Sequence, residues 1–140
     1  MRRKKVTVGV FLVNQENEVL LHLRDNNPSI FMPGMWTGLG GSIDKNETAE
    51  EAAFRELMEE ISYKPKELHY LVCYTHKDRI VHIYFSIVNF KDTSALHLNE
   101  GVTLKFYSFD KIKDLYKNGK TNLDIINQVN ILKLKVLKET

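Results

Sequence analysis

Cysteine is almost absent: Cys73 is the only one in 140 residues, so no disulfide can form within the chain. That fits a reducing, cytoplasmic setting. Flanked by Leu71-Val72 and Tyr74, Cys73 reads as a small packing residue on a strand and not as a nucleophile. Proline is scarce, and none follows Pro65. No apolar run approaches the ~20 residues of a membrane span. The run Val6 to Val13 follows Arg2-Arg3-Lys4-Lys5, but no small-residue cleavage site precedes Asn14 to Asn17. A first strand is the better reading than a leader. Strong charge is missing too. The net charge is +2, and without the four basic residues at the start the balance is 16 basic against 18 acidic. A chain with no basic stripe is poorly suited to broad nucleic-acid binding. Neither a nucleic-acid nor a membrane partner is expected. His22, His69, His76, His82 and His97 lack metal-ligand spacing; only His76, beside a turn, is worth watching.

A hydrophobic fraction of 43% is enough for a core, and the length suits one domain over residues 1–140. Val6 to Val13 and Val19 to Arg24 read as a strand hairpin. Residues 25 to 35 form a loop rich in Asn, Pro and Gly. Trp36 to Ile43 is short strand and turn, in which Gly38, Gly40 and Gly41 allow close backbone approach. Thr48 and Glu51 make a capping box, which predicts a helix from about Ala49 to Ile61. Ala53, Leu57 and Ile61 mark one apolar side and Phe54 and Met58 another, as in a helix packed between layers. Strands follow over Leu68 to His76, Ile80 to Phe90 and Thr103 to Phe109, with a tight turn at Lys77-Asp78-Arg79. Asp110 to Tyr116 reads as a short helix. Leu123 to Leu137 reads as an amphipathic one, apolar at 126, 129, 132 and 136 or 137. The order of elements is that of a mixed α/β domain.

The segment Gly41 to Tyr63, GSIDKNETAEEAAFRELMEEISY, carries the functional signal. Glu56, Glu59 and Glu60 have i, i+3, i+4 spacing, which places three carboxylates on one helix face. Their repulsion needs an offset, and a hard divalent cation with its preference for oxygen ligands supplies one. A Glu-rich helix is more often a solvated face. The full spacing decides against that: Gly41, Glu47, Arg55-Glu56, apolar Leu57, then Glu59-Glu60. Chance gives about one such match in 10⁵ chains of this length.

This pattern resembles the Nudix box of the MutT-like hydrolases, which act on nucleoside diphosphates linked to another group. Two positions depart from the box: Ser62 and Tyr63 stand where the family has Gly and an aliphatic residue. Before the box, Leu39-Gly40-Gly41 replaces the Pro-Gly-Gly of many relatives. The resemblance implies a Nudix fold, a mixed β-sheet sandwiched between helices. It implies Mg²⁺ as cofactor, with Mn²⁺ able to substitute. The metal set would be the Gly41 carbonyl, Glu59, Glu60 and Glu56, with Glu56 either a ligand or the general base. Arg55, counted with the catalytic set, matches a residue that braces the loop through Glu47; an i,i+4 pair with Glu59 is the other reading of Arg55. Glu100, followed by Gly101 just before a strand, matches a catalytic or metal-binding Glu on a flexible loop in several relatives. An ordinary loop Glu is the alternative. Lower in weight, Phe31, Trp36, Phe106 and Tyr107 are aromatics that a base would stack on. Arg24, Lys77 and Arg79 are cations that phosphates would engage. Asn122 is either a base reader or simply the N-cap of the last helix.

The expectation is therefore a divalent-metal-dependent pyrophosphohydrolase for a small nucleotide. Oxidised and ordinary (deoxy)nucleoside triphosphates are candidates. The lack of proline after Pro65 counts against ADP-ribose-type members, which tend to have one downstream of the box. Diadenosine polyphosphates, nucleotide sugars and capped RNA stay open, as does a homodimer. The alternative is a non-catalytic Nudix-like nucleotide sensor, but such proteins usually lose box carboxylates and this chain keeps all three.

Overall fold

The computed structural model describes residues 4–30 and 32–138. Phe31, read above as an aromatic platform, lies outside them. The strands are β1 (Lys5–Val13), β2 (Glu18–Leu23), β3 (Trp36–Thr37), β4 (Leu39–Ser42), β5 (His69–His76), β6 (Arg79–Ile87) and β7 (Thr103–Ser108). The α-helices are α1 (Ala49–Ile61), α2 (Phe109–Lys117) and α3 (Leu123–Lys138). The mixed sheet runs β3-β2-β1-β6-β5, with β4 also on β1 and β7 also on β2. β1 and β6 pair in parallel along their whole length, from Lys5↔Arg79 to Val13↔Ile87. The expected β1–β2 hairpin is slight: the strands pair only at Val13↔Val19, because β4 takes β1's edge from Thr7 to Val10.

Alternation along the central strands builds two cores, one on each face. Val8, Val10 and Leu12 of β1, Leu20 of β2 and Tyr84 of β6 pack with Ala52, Ala53, Leu57 and Ile61 of α1. Phe11, Val13, Leu21, Val81, Ile83 and Phe85 face the other way, onto Ile112 of α2 and Ile125, Val129, Leu132 and Val136 of α3. The sheet is thus sandwiched between helices. The apolar stripe of α3 has the expected phase at Val129, Leu132 and Val136; Ile125 is buried at its start, with Ile126 partly buried beside it.

Two packing expectations fail. Met58 is 47% exposed, so α1 has one buried face and is not itself between layers. Cys73 is exposed, on β5 at the edge of the sheet. The capping box is present as read: Thr48 Oγ1 accepts from Glu51 N at 3.1 Å and Glu51 Oε1 accepts from Thr48 N at 2.9 Å.

Candidate active site

Arg55 organises the box. Its Nε and Nη2 donate to the two oxygens of Glu47 at 2.7 and 3.0 Å, a bidentate pair. Nη2 also donates to Ser42 O at 2.9 Å, tying the loop after β4 to α1. Nη1 donates to Glu56 at 2.9 Å and to Glu59 at 3.2 Å. Both readings of Arg55 therefore hold at once: it braces the loop and makes the i,i+4 pair. These contacts raise its pKa further, Glu47 first. In return Arg55, followed by the Asp44 N–H, holds the Glu47 carboxyl below its usual range.

Glu60 is in a different position. It is 2% exposed, and its Oε2 accepts from Gly40 N at 2.9 Å. Burial pushes its pKa up to about 8; Glu56 and Glu100 add to the rise, while the Gly40 N–H and Arg24 oppose it. Burial likewise raises Glu56, with Glu59 and Glu100 adding and Arg55 opposing. Gly41 lies directly against this group: a Cβ there would sit 2.6 Å from Glu56 Oε1. Only glycine permits that approach.

A cavity of about 640 Å³ opens from these residues. Gly41, Glu56, Glu60 and Glu100 line one end, and Arg24 reaches in beside them. The Arg24 Nε is buried and has no hydrogen-bond partner among the described residues. The other end lies between the β5–β6 turn and the start of α3, where Lys77, Arg79 and Asn122 contribute. Asn122 Oδ1 accepts from Ile125 N at 3.1 Å, so the N-cap reading is seen while the residue still borders the cavity. Trp36 does not line the cavity; it packs edge-on against Tyr107, centroids 5.0 Å apart. Phe106 is core. Glu59 also stays outside the cavity, half exposed and turned to Arg55.

Sequence reasoning missed three residues of the far wall, Tyr74, Asp124 and Gln128, while His76, singled out beside its turn, does line it. Gln128 Nε2 donates to the Tyr74 hydroxyl, and His76 Nε2 stands 3.7 Å from Asp124 Oδ2. The signal was there: 74 and 76 share a strand face, and 124 and 128 share a helix face.

Among the described residues, no three His, Cys, Asp or Glu side chains stand close enough to hold one ion. The expected cluster is spread by its present partners. Arg55 holds Glu56 and turns Glu59 out of the cavity, and the Gly40 N–H holds Glu60. The donor chemistry nevertheless fits a small hard cation. The available atoms are carboxylate and carbonyl oxygens, and burial disfavours charge on Glu56 and Glu60, which a bound cation would offset.

A family model described as the NUDIX domain matches residues 3–128. The oxidized purine nucleoside triphosphate hydrolase of Mus musculus is 32% identical over 87 residues, 62% of this chain and 48% of that protein. The ADP-ribose pyrophosphatase of Methanocaldococcus jannaschii is 33% identical over 108 residues, 76% of this chain and 62% of that protein. The chain thus spans about half to three-fifths of the length of these curated relatives. Among solved structures, the NUDIX domain of Shewanella oneidensis NrtR, complexed with ADP ribose, superposes with a TM-score of 0.79 at 17% identity, over 97% of this chain and 90% of that one.

Proposed function

Since the chain belongs to the NUDIX family, we propose that it hydrolyses the phosphoric anhydride of a nucleoside diphosphate linked to another group, with a divalent cation such as Mg²⁺. The observation that carries this reading is the cavity lined together by Glu56 and Glu60 of α1, Gly41 of β4 and Glu100 of the loop before β7. Glu56, Glu59, Glu60 and the Gly41 carbonyl would hold the ion, Glu56 and Glu59 exchanging their bonds to Arg55 to do so. The bound ion supplies charge stabilisation on the phosphoryl oxygens and lowers the pKa of a water. Glu100 or Glu56 accepts the proton of the attacking water as the new P–O bond forms. The P–O bond to the leaving phosphate breaks, and the electron pair departs with that phosphate. Arg24, with its unmet donor, is placed to pair with a phosphate oxygen. The nucleoside would extend toward Lys77, Arg79 and Asn122.

The names of the relatives support testing purine nucleoside triphosphates and ADP-ribose first, so ADP-ribose stays in consideration despite the missing downstream proline. The test is a substrate panel of ordinary and oxidised (d)NTPs, ADP-ribose, diadenosine polyphosphates and capped RNA, with Mg²⁺ or Mn²⁺ and products resolved by mass. Metal-dependent cleavage of a phosphoric anhydride in at least one member is expected: phosphate or pyrophosphate from a triphosphate, or two phosphate-bearing products from ADP-ribose or a diadenosine polyphosphate. Binding without turnover across the panel would instead favour a nucleotide sensor.

A further inference from the structure

An α-helix ends with four carbonyls that have no partner inside it. In α1 these belong to Met58, Glu59, Glu60 and Ile61. Met58 O accepts from Ser62 N at 3.0 Å. The other three are met by the segment just before β7. Asn99 Nδ2 donates to Glu59 O at 2.9 Å, Asn99 N donates to Glu60 O at 2.8 Å, and His97 N donates to Ile61 O at 3.1 Å. The same Nδ2 donates to Ser62 Oγ at 2.9 Å, and Asn99 Oδ1 meets His97 Nδ1 at 2.7 Å. The loop is therefore the C-terminal cap of the box helix, supplied from elsewhere in the chain.

Its other side is fastened to β2. Glu100 O meets His22 Nε2 at 2.7 Å, and Val102 N donates to Leu23 O at 2.9 Å. Gly101 has φ +82, and a Cβ there would overlap the His22 ring. Glu100 thus sits between two anchored neighbours, with its side chain in the cavity that holds Glu56 and Glu60. The flexible loop expected from Gly101 is instead a pinned one; the glycine serves close approach to His22.

We propose that Asn99 is a positioning residue, whose carboxamide, bridging Glu59 O and Ser62 Oγ, fixes the Glu100 carboxylate relative to those of α1. This rests on Glu100 serving as a further ligand of the ion, the metal-binding reading of that residue, as well as a candidate base. It also accounts for serine at a position that suits glycine: Ser62 has φ 55, yet only a side chain with an oxygen gives Asn99 its second acceptor. If Asn99 merely completed the helix end, its loss would loosen the loop and leave ion binding alone. A positioning role requires both to change together.

The test titrates Mn²⁺ alone, followed by electron paramagnetic resonance, into the whole chain and into Asn99→Ala, Glu100→Gln, their double variant and Ser62→Ala. Amide exchange over residues 97–102 is read in parallel. Asn99→Ala should speed exchange and weaken Mn²⁺ binding about 10-fold or more, the usual effect of losing a group that orients a ligand. The double variant should be no weaker than Glu100→Gln. Ser62→Ala, which removes one acceptor and keeps the fold, should show a smaller loss of the same sign and carries the test if Asn99→Ala does not fold. On the substrate found by the panel, Asn99→Ala should lower kcat with KM little changed. Wild-type Mn²⁺ affinity in Asn99→Ala and Ser62→Ala, beside a weakened Glu100→Gln, overturns the positioning role alone. Wild-type affinity and turnover in Glu100→Gln overturns the underlying reading of Glu100, and the inference with it.

Discussion

Glu60 is buried in the last turn of α1, where both desolvation and the negative end of the helix dipole oppose its charge. No basic residue stands in that turn to help. A consequence can be measured in metal-free protein. An acid whose folded pKa is raised binds its proton more tightly when folded. Its favourable share of stability is complete below the unfolded value of 4.5 and is lost as pH rises toward about 8. Other groups, such as buried His22 with its lowered pKa, push the opposite way. The informative quantity is therefore the difference between Glu60→Gln and wild type. In chelator, the melting temperature of Glu60→Gln should gain on wild type steadily from pH 5 to pH 8. Saturating Mg²⁺ should shrink or reverse the gain, because an ion bound only by the folded state stabilises it. Turnover of Glu59→Gln and Glu60→Gln should each fall at least ~10²-fold, the loss of one preorganised electrostatic contact. Near-normal turnover in both would remove the carboxylates from the chemistry. Glu59 is exposed, so its substitution should leave the metal-free melting profile unchanged. Spacing alone placed 56, 59 and 60 on one face but could not tell the buried Glu60 from the exposed Glu59. That difference comes from β4, whose Gly40 N–H donates to the Glu60 carboxylate.

The box helix and its loop are joined by Arg55 on one side and by the Asn99 segment on the other. Arg55→Ala leaves Glu47 and Glu56 without their cation and Ser42 O without its donor. A loss of about 1–3 kcal/mol is expected, read as a lower urea midpoint. Arg55→Lys should recover only part of it, since an ammonium cannot make the bidentate pair. At the helix end two effects compete in Ser62→Gly. Relief of the left-handed backbone is worth about 1 kcal/mol, and loss of the Asn99 hydrogen bond costs about the same. Little change in melting temperature is expected for Ser62→Gly. Ser62→Ala loses the bond without the relief and should be less stable by about 1 kcal/mol. Wild-type stability in Ser62→Ala would show that the hydroxyl contributes nothing. The start of α1 was legible because Thr48 and Glu51 cap locally. Its end was not, because the partners of Glu59, Glu60 and Ile61 come from residues 97 and 99, and no local pattern reports a cap supplied from so far away.

Across the whole molecule, element order was readable from alternation and helical periodicity, while the pairing of strands was not. Val6 to Val13 announces a strand but does not reveal that its main neighbours are β6 and β4. Cys73 looked like core for the same reason, since nothing near it shows that β5 ends the sheet. The parallel β1–β6 ladder has a consequence for how the chain comes to be folded during synthesis. β1 is apolar on both faces, and its longest edge is closed only when Ile87 has been made. At about 5–20 residues per second, a ribosome needs about 4–15 s to travel from Val13 to Ile87. For about the last third of that interval the box helix has been synthesised, yet the strand it packs on still lacks the partner for its long edge. A fragment ending at Asp78 should accordingly lack dispersed amide resonances and aggregate on concentration, whereas the full chain does neither. Association of nascent chains with a holdase should peak before β6 emerges and fall afterwards.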